Sequence, residues 1–187
     1  MTFFRLPFAG LTMFVAAAGI PAAATVDRAP VVHVSEEQGT YRIDAEFCVA
    51  QPAAIVLDVL SDYEAIPRFM PDVKSSRIIE RADGRVLVEQ EAVARLMMFS
   101  KKIHLLLEIT QTPNAISFRD RSRISFSDYE GGWRVAEGAG SASIRYQVLA
   151  RPAFDVPEFV LKRLLKRDAT RMIDNLRAEM SARGAKR

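Results

Sequence analysis

The 187-residue sequence predicts an α+β fold in which a strongly curved, seven-stranded antiparallel sheet wraps around one long C-terminal helix. Three observations lead there. A strand with one dry face, from Tyr41 to Phe47, is followed by two short proline-bounded helices. Six strand-like segments then succeed one another across links too short for crossover helices, which makes them antiparallel neighbours. Last comes an apolar stripe at helical spacing from Val160 to Met180. One sheet layer and one long helix each carry an apolar face that is best buried against the other.

The N-terminus reads as an export signal. Arg5 is the only charged residue before Asp27, and it precedes an apolar run through Leu6, Phe8, Leu11, Met13, Phe14, Val15 and Ile20. Ala22 and Ala24 then supply the small residues that a signal peptidase needs, so cleavage is expected after Ala24. The competing reading is an uncleaved anchor, because the charge-free stretch from Leu6 to Val26 is 21 residues long and a span needs about 20. The expected organisation is a signal peptide at 1–24, a leader at 25–37, a domain at 38–183 and a basic tail at 184–187. The location is periplasmic or secreted after cleavage, and membrane-tethered without it.

Within the leader, Val31, Val32 and Val34 are candidates to join a sheet edge. Tyr41, Ile43, Ala45 and Phe47 alternate with Arg42, Asp44 and Glu46, which defines the first strand. Gln51 and Pro52 end it, and Ala53 to Leu60 reads as a short helix carrying Ile55, Val56, Val59 and Leu60. Ser61 and Asp62 are positioned to cap a second short turn leading to Tyr63, Ile66, Phe69 and Met70, with Pro67 and Pro71 preventing a longer helix. Strands follow at 73–81, 85–97, 101–111, 114–120, 127–136 and 141–150, with turns at Ala82-Asp83-Gly84, Thr112-Pro113-Asn114 and Gly138 to Gly140. The final helix begins at a capping box formed by Asp155 and Glu158, with Pro157 in the first turn and Gly184 beyond the end.

Charge adds little on its own. The chain has 26 basic and 23 acidic side chains, and loss of Arg5 with the signal leaves +2. The distribution says more, because Pro157 to Arg187 carries +5 and the preceding part of the mature chain −3. Arg163, Arg167 and Arg171 form a ridge at four-residue spacing, suited either to solvent or to anionic headgroups. Nucleic-acid binding is not expected, since the ridge lacks an aromatic stacking surface. Cys48 is the only cysteine, which excludes an internal disulfide, and it is expected to be buried near the end of the first strand. With His33 and His104 as the only histidines, the usual zinc constellations are missing.

Three stretches carry a family resemblance. They are Tyr63-Glu64-Ala65-Ile66-Pro67-Arg68-Phe69-Met70-Pro71-Asp72-Val73; Tyr129-Glu130-Gly131-Gly132-Trp133-Arg134 with Ser143-Ile144-Arg145-Tyr146; and Pro152-Ala153-Phe154-Asp155-Val156-Pro157 leading into Leu164-Leu165-Lys166-Arg167-Asp168. By their order and spacing over residues 38–183 the chain resembles the START-like superfamily, the polyketide cyclase/dehydrase and lipid transport group (SRPBCC), whose architecture is the helix-grip fold. Within it the chain looks nearest to bacterial cyclase/dehydrase-like proteins and the coenzyme Q-binding branch. A ribosome-associated toxin also resembles this branch, but export would separate this chain from ribosomes. The resemblance implies an apolar or amphipathic ligand, such as a lipid, quinone or aromatic metabolite, held between sheet and long helix. Only a minority of members are enzymes.

The candidate ligand-binding residues are Tyr63, Phe69, Met70, Trp133, Tyr146, Asp168, Met172 and Asn175. Tyr63, Phe69 and Met70 sit in a segment too short for its own core and either shape a pocket mouth or plug the end of the sheet. Trp133 and Tyr146 join an apolar body to one polar group, which suits core packing and a pocket wall alike. Asp168 shares a helix face with Met172 and Asn175 at the edge of the apolar stripe. It is placed to anchor a ligand hydroxyl or carbonyl, to pair with Arg171 or Lys101, or to meet solvent. For an enzyme, His104 is the best general base and Glu108 shares its strand face, but alternation sets both opposite Ile103, Leu105, Leu107 and Ile109. The acids Glu89 and Glu91 share a face that Arg95 is able to neutralise. No nucleophile elbow, phosphate-cradling glycine loop or nicotinamide fingerprint is present, so neither a catalytic residue nor a cofactor is assigned. The expected partner is a hydrophobic or amphipathic small molecule, with peripheral membrane contact through the basic C-terminal helix. The alternatives are a cyclase or dehydratase acting on a polyketide-like chain, and an envelope interaction module.

Overall fold

Turn chemistry and strand alternation together build the sheet. The computed structural model describes residues 29–96 and 99–186, so the export signal expected at 1–24 lies outside the described residues. β1 (Val31–Glu37) and β2 (Thr40–Val49) are joined by Gln38 and Gly39, both at positive φ, as a tight hairpin turn requires. α1 (Ala53–Ser61), a single 3₁₀ turn (Tyr63–Ala65) and α2 (Ile66–Phe69) then carry the chain to the opposite edge. From there β3 (Val73–Ala82), β4 (Arg85–Leu96), β5 (Phe99–Thr112), β6 (Ala115–Asp120), β7 (Phe126–Gly138) and β8 (Ser141–Pro152) form a continuous antiparallel meander. β8 returns to pair with β2, giving the order β1-β2-β8-β7-β6-β5-β4-β3.

The described sheet therefore has eight strands, not seven, because the three valines before the expected first strand pair along the edge of β2. It is open, with β1 and β3 as its two edges, and does not close on itself as strong curling would require. β7 carries a glycine pair, Gly131 and Gly132, where it runs between β6 and β8. A Cβ on Gly131 would run into the Gln147 carbonyl oxygen, and one on Gly132 into the Ile116 carbonyl oxygen.

Alternation decides which side of each strand is dry. Tyr41, Ile43, Ala45 and Phe47 of β2 and Ala142, Ile144, Tyr146 and Val148 of β8 are buried on the face toward the helices. The same period places Cys48, between Phe47 and Val49, on the outer face opposite Ser143, where it is half-buried and not in the core. α3 (Glu158–Gly184) covers the inner face. Its second half buries Ile173, Leu176 and Met180 in the main core, and its first half packs Leu161 and Leu164 on Tyr41.

Two expected caps do not form. Pro157 occupies the position before the first turn of α3, so Asp155 lies two residues too early to cap it, and Glu158 instead accepts from Lys162 Nζ at 2.6 Å. Asp62 makes no side-chain cap either. It pairs across the fold with Arg183 at 2.9 Å, while Ser61 Oγ donates back to the Leu57 carbonyl at 2.8 Å. Gly184 is the last residue of α3 and not the residue beyond it. Among the described residues no helix is long and apolar enough to cross a membrane.

Candidate functional site

The inner face of the sheet and α3 do not fill the space between them. A cavity of about 360 Å³ remains, walled mostly by apolar side chains of β4, β5, β7, β8, α2 and α3. All eight residues singled out from the sequence line it: Tyr63, Phe69 and Met70 from the segment between α1 and β3, Trp133 and Tyr146 from the sheet, and Asp168, Met172 and Asn175 from α3. Proline-bounded turns hold the first group at one end. Helical spacing brings the last three onto the side of α3 that faces the strands.

Trp133 and Tyr146 are cross-strand partners on β7 and β8, and their rings stack with centroids 4.2 Å apart. The Tyr146 phenol hydrogen-bonds the phenol of Tyr129, and burial pushes both above the ordinary phenol range, Tyr146 well above it. These two hydroxyls thus satisfy one another. The Tyr63 hydroxyl is buried without a hydrogen-bond partner among the described residues, and burial raises it too, against the opposing charge of Arg81. Asn175, which lines the cavity, makes a long contact of 3.9 Å from its Nδ2 to Met70 Sδ. Gln90, which sequence reasoning missed, also lines the cavity, with its Nε2 donating to Ser76 Oγ at 3.1 Å. The signal was present as an amide in the dry register of β4, between Val88 and Ala92.

Asp168 pairs with neither Arg171 nor Lys101. Arg167 is its partner, donating from Nε at 2.9 Å, and Lys101 lies 5.2 Å over the ring of Phe154. Burial pushes the Asp168 carboxyl up; Arg167 and then Arg171 oppose the shift, and Asp72 adds to it. Asp72, also missed, stands at the cavity edge between Arg95 and Arg171, at 2.8 and 3.2 Å. Arg95 is thereby committed to Asp72 and leaves Glu89 to Arg77, at 2.8 Å. Two of the three arginines of the expected free ridge, Arg167 and Arg171, are in fact tied down at this edge.

The groups an acid–base mechanism needs are elsewhere. Ile103, Leu105, Leu107 and Ile109 line the cavity, so alternation turns His104 and Glu108 to the outer face. Glu108 is held below the usual carboxylate range by its hydrogen bond to Arg121, at 2.6 Å. A larger depression of about 530 Å³ lies on that outer face over Gly131 and Gly132. Its lining mixes strand-surface charges, several already paired as Arg119 with Glu130 and Arg121 with Glu108, with apolar and neutral groups, and the more enclosed, mostly apolar inner cavity is the better candidate site. No cluster of potential metal ligands is found among the described residues.

The family model for polyketide cyclase / dehydrase and lipid transport matches residues 49–177, a stretch that includes every candidate residue from Tyr63 to Asn175. The chain belongs to that family. No curated protein matches it by sequence. The family's fold recurs in solved structures of low identity. A STAR-related lipid transfer protein fragment from Xanthomonas axonopodis is similar with a TM-score of 0.69 and 16% identity, covering 84% of this chain and 97% of that one. An aromatase/cyclase from Streptomyces sp. R1128 gives 0.65 and 14%, covering 77% and 95%. A START superfamily protein from Mycobacterium smegmatis gives 0.63 and 18%, covering 75% and 97%. At these identities the likeness establishes the shared architecture of sheet and long helix, and the same architecture serves both the lipid-transfer and the cyclase member of the set.

Proposed function

We propose that this domain reversibly binds an apolar or amphipathic small molecule between its sheet and α3, and carries it in the cell envelope. The observation behind this reading is the apolar cavity of about 360 Å³, with a few polar groups at its wall, which falls in the size range of about 300–1,000 Å³ usual for small-ligand sites. Burial at about 25 cal/mol per Å² drives uptake, and the polar groups of Tyr63, Asp168 and Asn175 fix orientation. The envelope location rests on the export pattern of residues 1–24. A quinone is one ligand the stacked wall of Trp133 and Tyr146 would suit, which is where the resemblance to the coenzyme Q-binding branch enters. Peripheral membrane contact through α3 would fall to Arg163 and to Phe159, which is 76% exposed, because Arg167 and Arg171 are engaged at the cavity edge.

Native mass spectrometry of gently purified protein tests the binding reading. A bound small-molecule mass, or uptake from a panel of quinones and lipids, is the expected result. Repeated recovery of bare protein that takes up nothing would overturn it. The cyclase or dehydratase alternative keeps one feature, a cavity-lining acid in Asp168 whose carboxyl is raised by burial. It loses His104 as its base, so it predicts turnover that survives His104→Ala and disappears with Asp168→Asn.

A further inference from the structure

The charged groups nearest the cavity gather where α3 faces the start of β3 and the end of β4. α3 packs closely on β1, β2 and α1, whereas toward β4 its polar contacts are made by long arginine side chains. Arg95 Nη1 donates to one oxygen of Asp72 at 2.8 Å, and Arg171 Nη1 donates to the other at 3.2 Å. Arg167 completes the group, with Nη2 donating to the Arg95 carbonyl oxygen at 2.6 Å and Nε to Asp168 at 2.9 Å. Three arginines against two aspartates leave the cluster one positive charge in excess. Among the described residues, Asp72, Asp168 and Arg171 are also the only charged ones that line the otherwise largely apolar cavity, so the charge described at the cavity lies at this one edge.

We propose that the ligand is a single-tailed amphiphile with a carboxylate head, and that this head takes the place of Asp72 on Arg95 and Arg171 while the tail fills the cavity. The proposal rests on the binding function argued above and narrows its ligand class. Size favours one tail, since about 360 Å³ is only about a dozen times the roughly 30 Å³ that a water molecule occupies in the liquid. Head chemistry follows from the clamp. Guanidinium groups present forked donors that match a carboxylate, and an excess positive charge disfavours an amine. The clamp is also exchangeable: the side chains of Arg95, Arg171 and Asp72 are 59%, 49% and 34% exposed, and ion pairs so open to water are weak. Tail burial supplies the affinity, and the exchange of one carboxylate for another supplies the selectivity.

Trp133 is the only tryptophan of the chain and lines the cavity, so its fluorescence reads occupancy. Titration with decanoate, decanol and decylamine at neutral pH should give decanoate the tightest binding by several-fold and decylamine the weakest. Asp72→Asn removes the internal competitor and should tighten decanoate several-fold while leaving decanol nearly unchanged. Arg171→Gln removes a clamp arm and should weaken decanoate, and Arg95→Gln gives a second, independent loss of an arm if the first variant folds poorly. Decanol binding as tightly as decanoate would overturn the proposal. So would Asp72→Asn and Arg171→Gln shifting decanoate in the same direction, the result expected if the pair only braces the fold. If none of the three amphiphiles binds, the cavity-binding reading fails with it; if all bind equally, that reading stands and the head-group assignment falls.

Discussion

The two halves of α3 do different work with the same kind of residue. Toward the C-terminus Ile173 and Met180 are 0% exposed, sealed in the main core. Toward the middle, Leu165, Asp168 and Met172 look onto the cavity and are only partly buried. The stripe is continuous in sequence, so periodicity alone does not separate them. What separates them is the opposite wall: the last turns share the main core with side chains of α1 and the sheet, whereas Arg167 and Arg171 of the middle turns reach out to the Arg95 carbonyl of β4 and to Asp72. One half holds the fold together, and the other leaves room for a guest.

Substitutions can break this contrast, and the largest effect belongs to the sealed half. Ile173→Ala should cost about 2–5 kcal/mol of stability in urea unfolding, without changing ligand affinity of the folded protein. Met172→Ala should reverse the balance. It should cost less than about 1.5 kcal/mol of stability, since a half-buried site has less to lose, yet weaken ligand binding by about tenfold if two methylenes' worth of ligand contact goes at about 0.8 kcal/mol each. Tyr146→Phe breaks the phenol pair with Tyr129 and should cost about 1 kcal/mol, with fluorescence of Trp133 still responding to ligand.

The smallest effect is one of pH. Burial raises the Asp168 carboxyl above its ordinary 3.8, so the folded chain holds that proton more tightly than the unfolded chain does. This contribution to stability is fully present below 3.8 and is lost as pH rises through the raised value. Asp168→Asn is therefore expected to be slightly more stable than the parent near neutral pH, by at most a few tenths of a kcal/mol given the exposed Arg167 partner. Thermal melts should show that advantage vanishing as the pH falls toward 3.8.

Local periodicity made most of this architecture legible. The alternation of β2 and β8, the hairpin turn at Asp83-Gly84 and the stripe of α3 all follow from nearest-neighbour rules, and the residues on the dry faces necessarily converge on one interior. The same rule would have put Cys48 outside, between inward Phe47 and Val49, had it been given more weight than the general preference of cysteine for burial. β1 was only half visible, because three valines interrupted by His33 make a weak strand signal until β2 pairs with them. The capping box failed because Pro157 takes the cap position itself. The edge of the site was hidden for a different reason. Asp72 and Arg171 are 99 residues apart, and nothing local to either one announces the pair.

Methionine methyl groups report on both halves of α3 at once. Met70 and Met172 line the cavity, whereas Met180 is fully buried beyond it. In a ¹³C-methyl methionine NMR titration with decanoate, the Met70 and Met172 resonances should move in a saturable manner while Met180 stays in place. Unmoved Met70 and Met172 signals, or a Met180 shift as large as theirs, would contradict a ligand site between the sheet and the middle of α3.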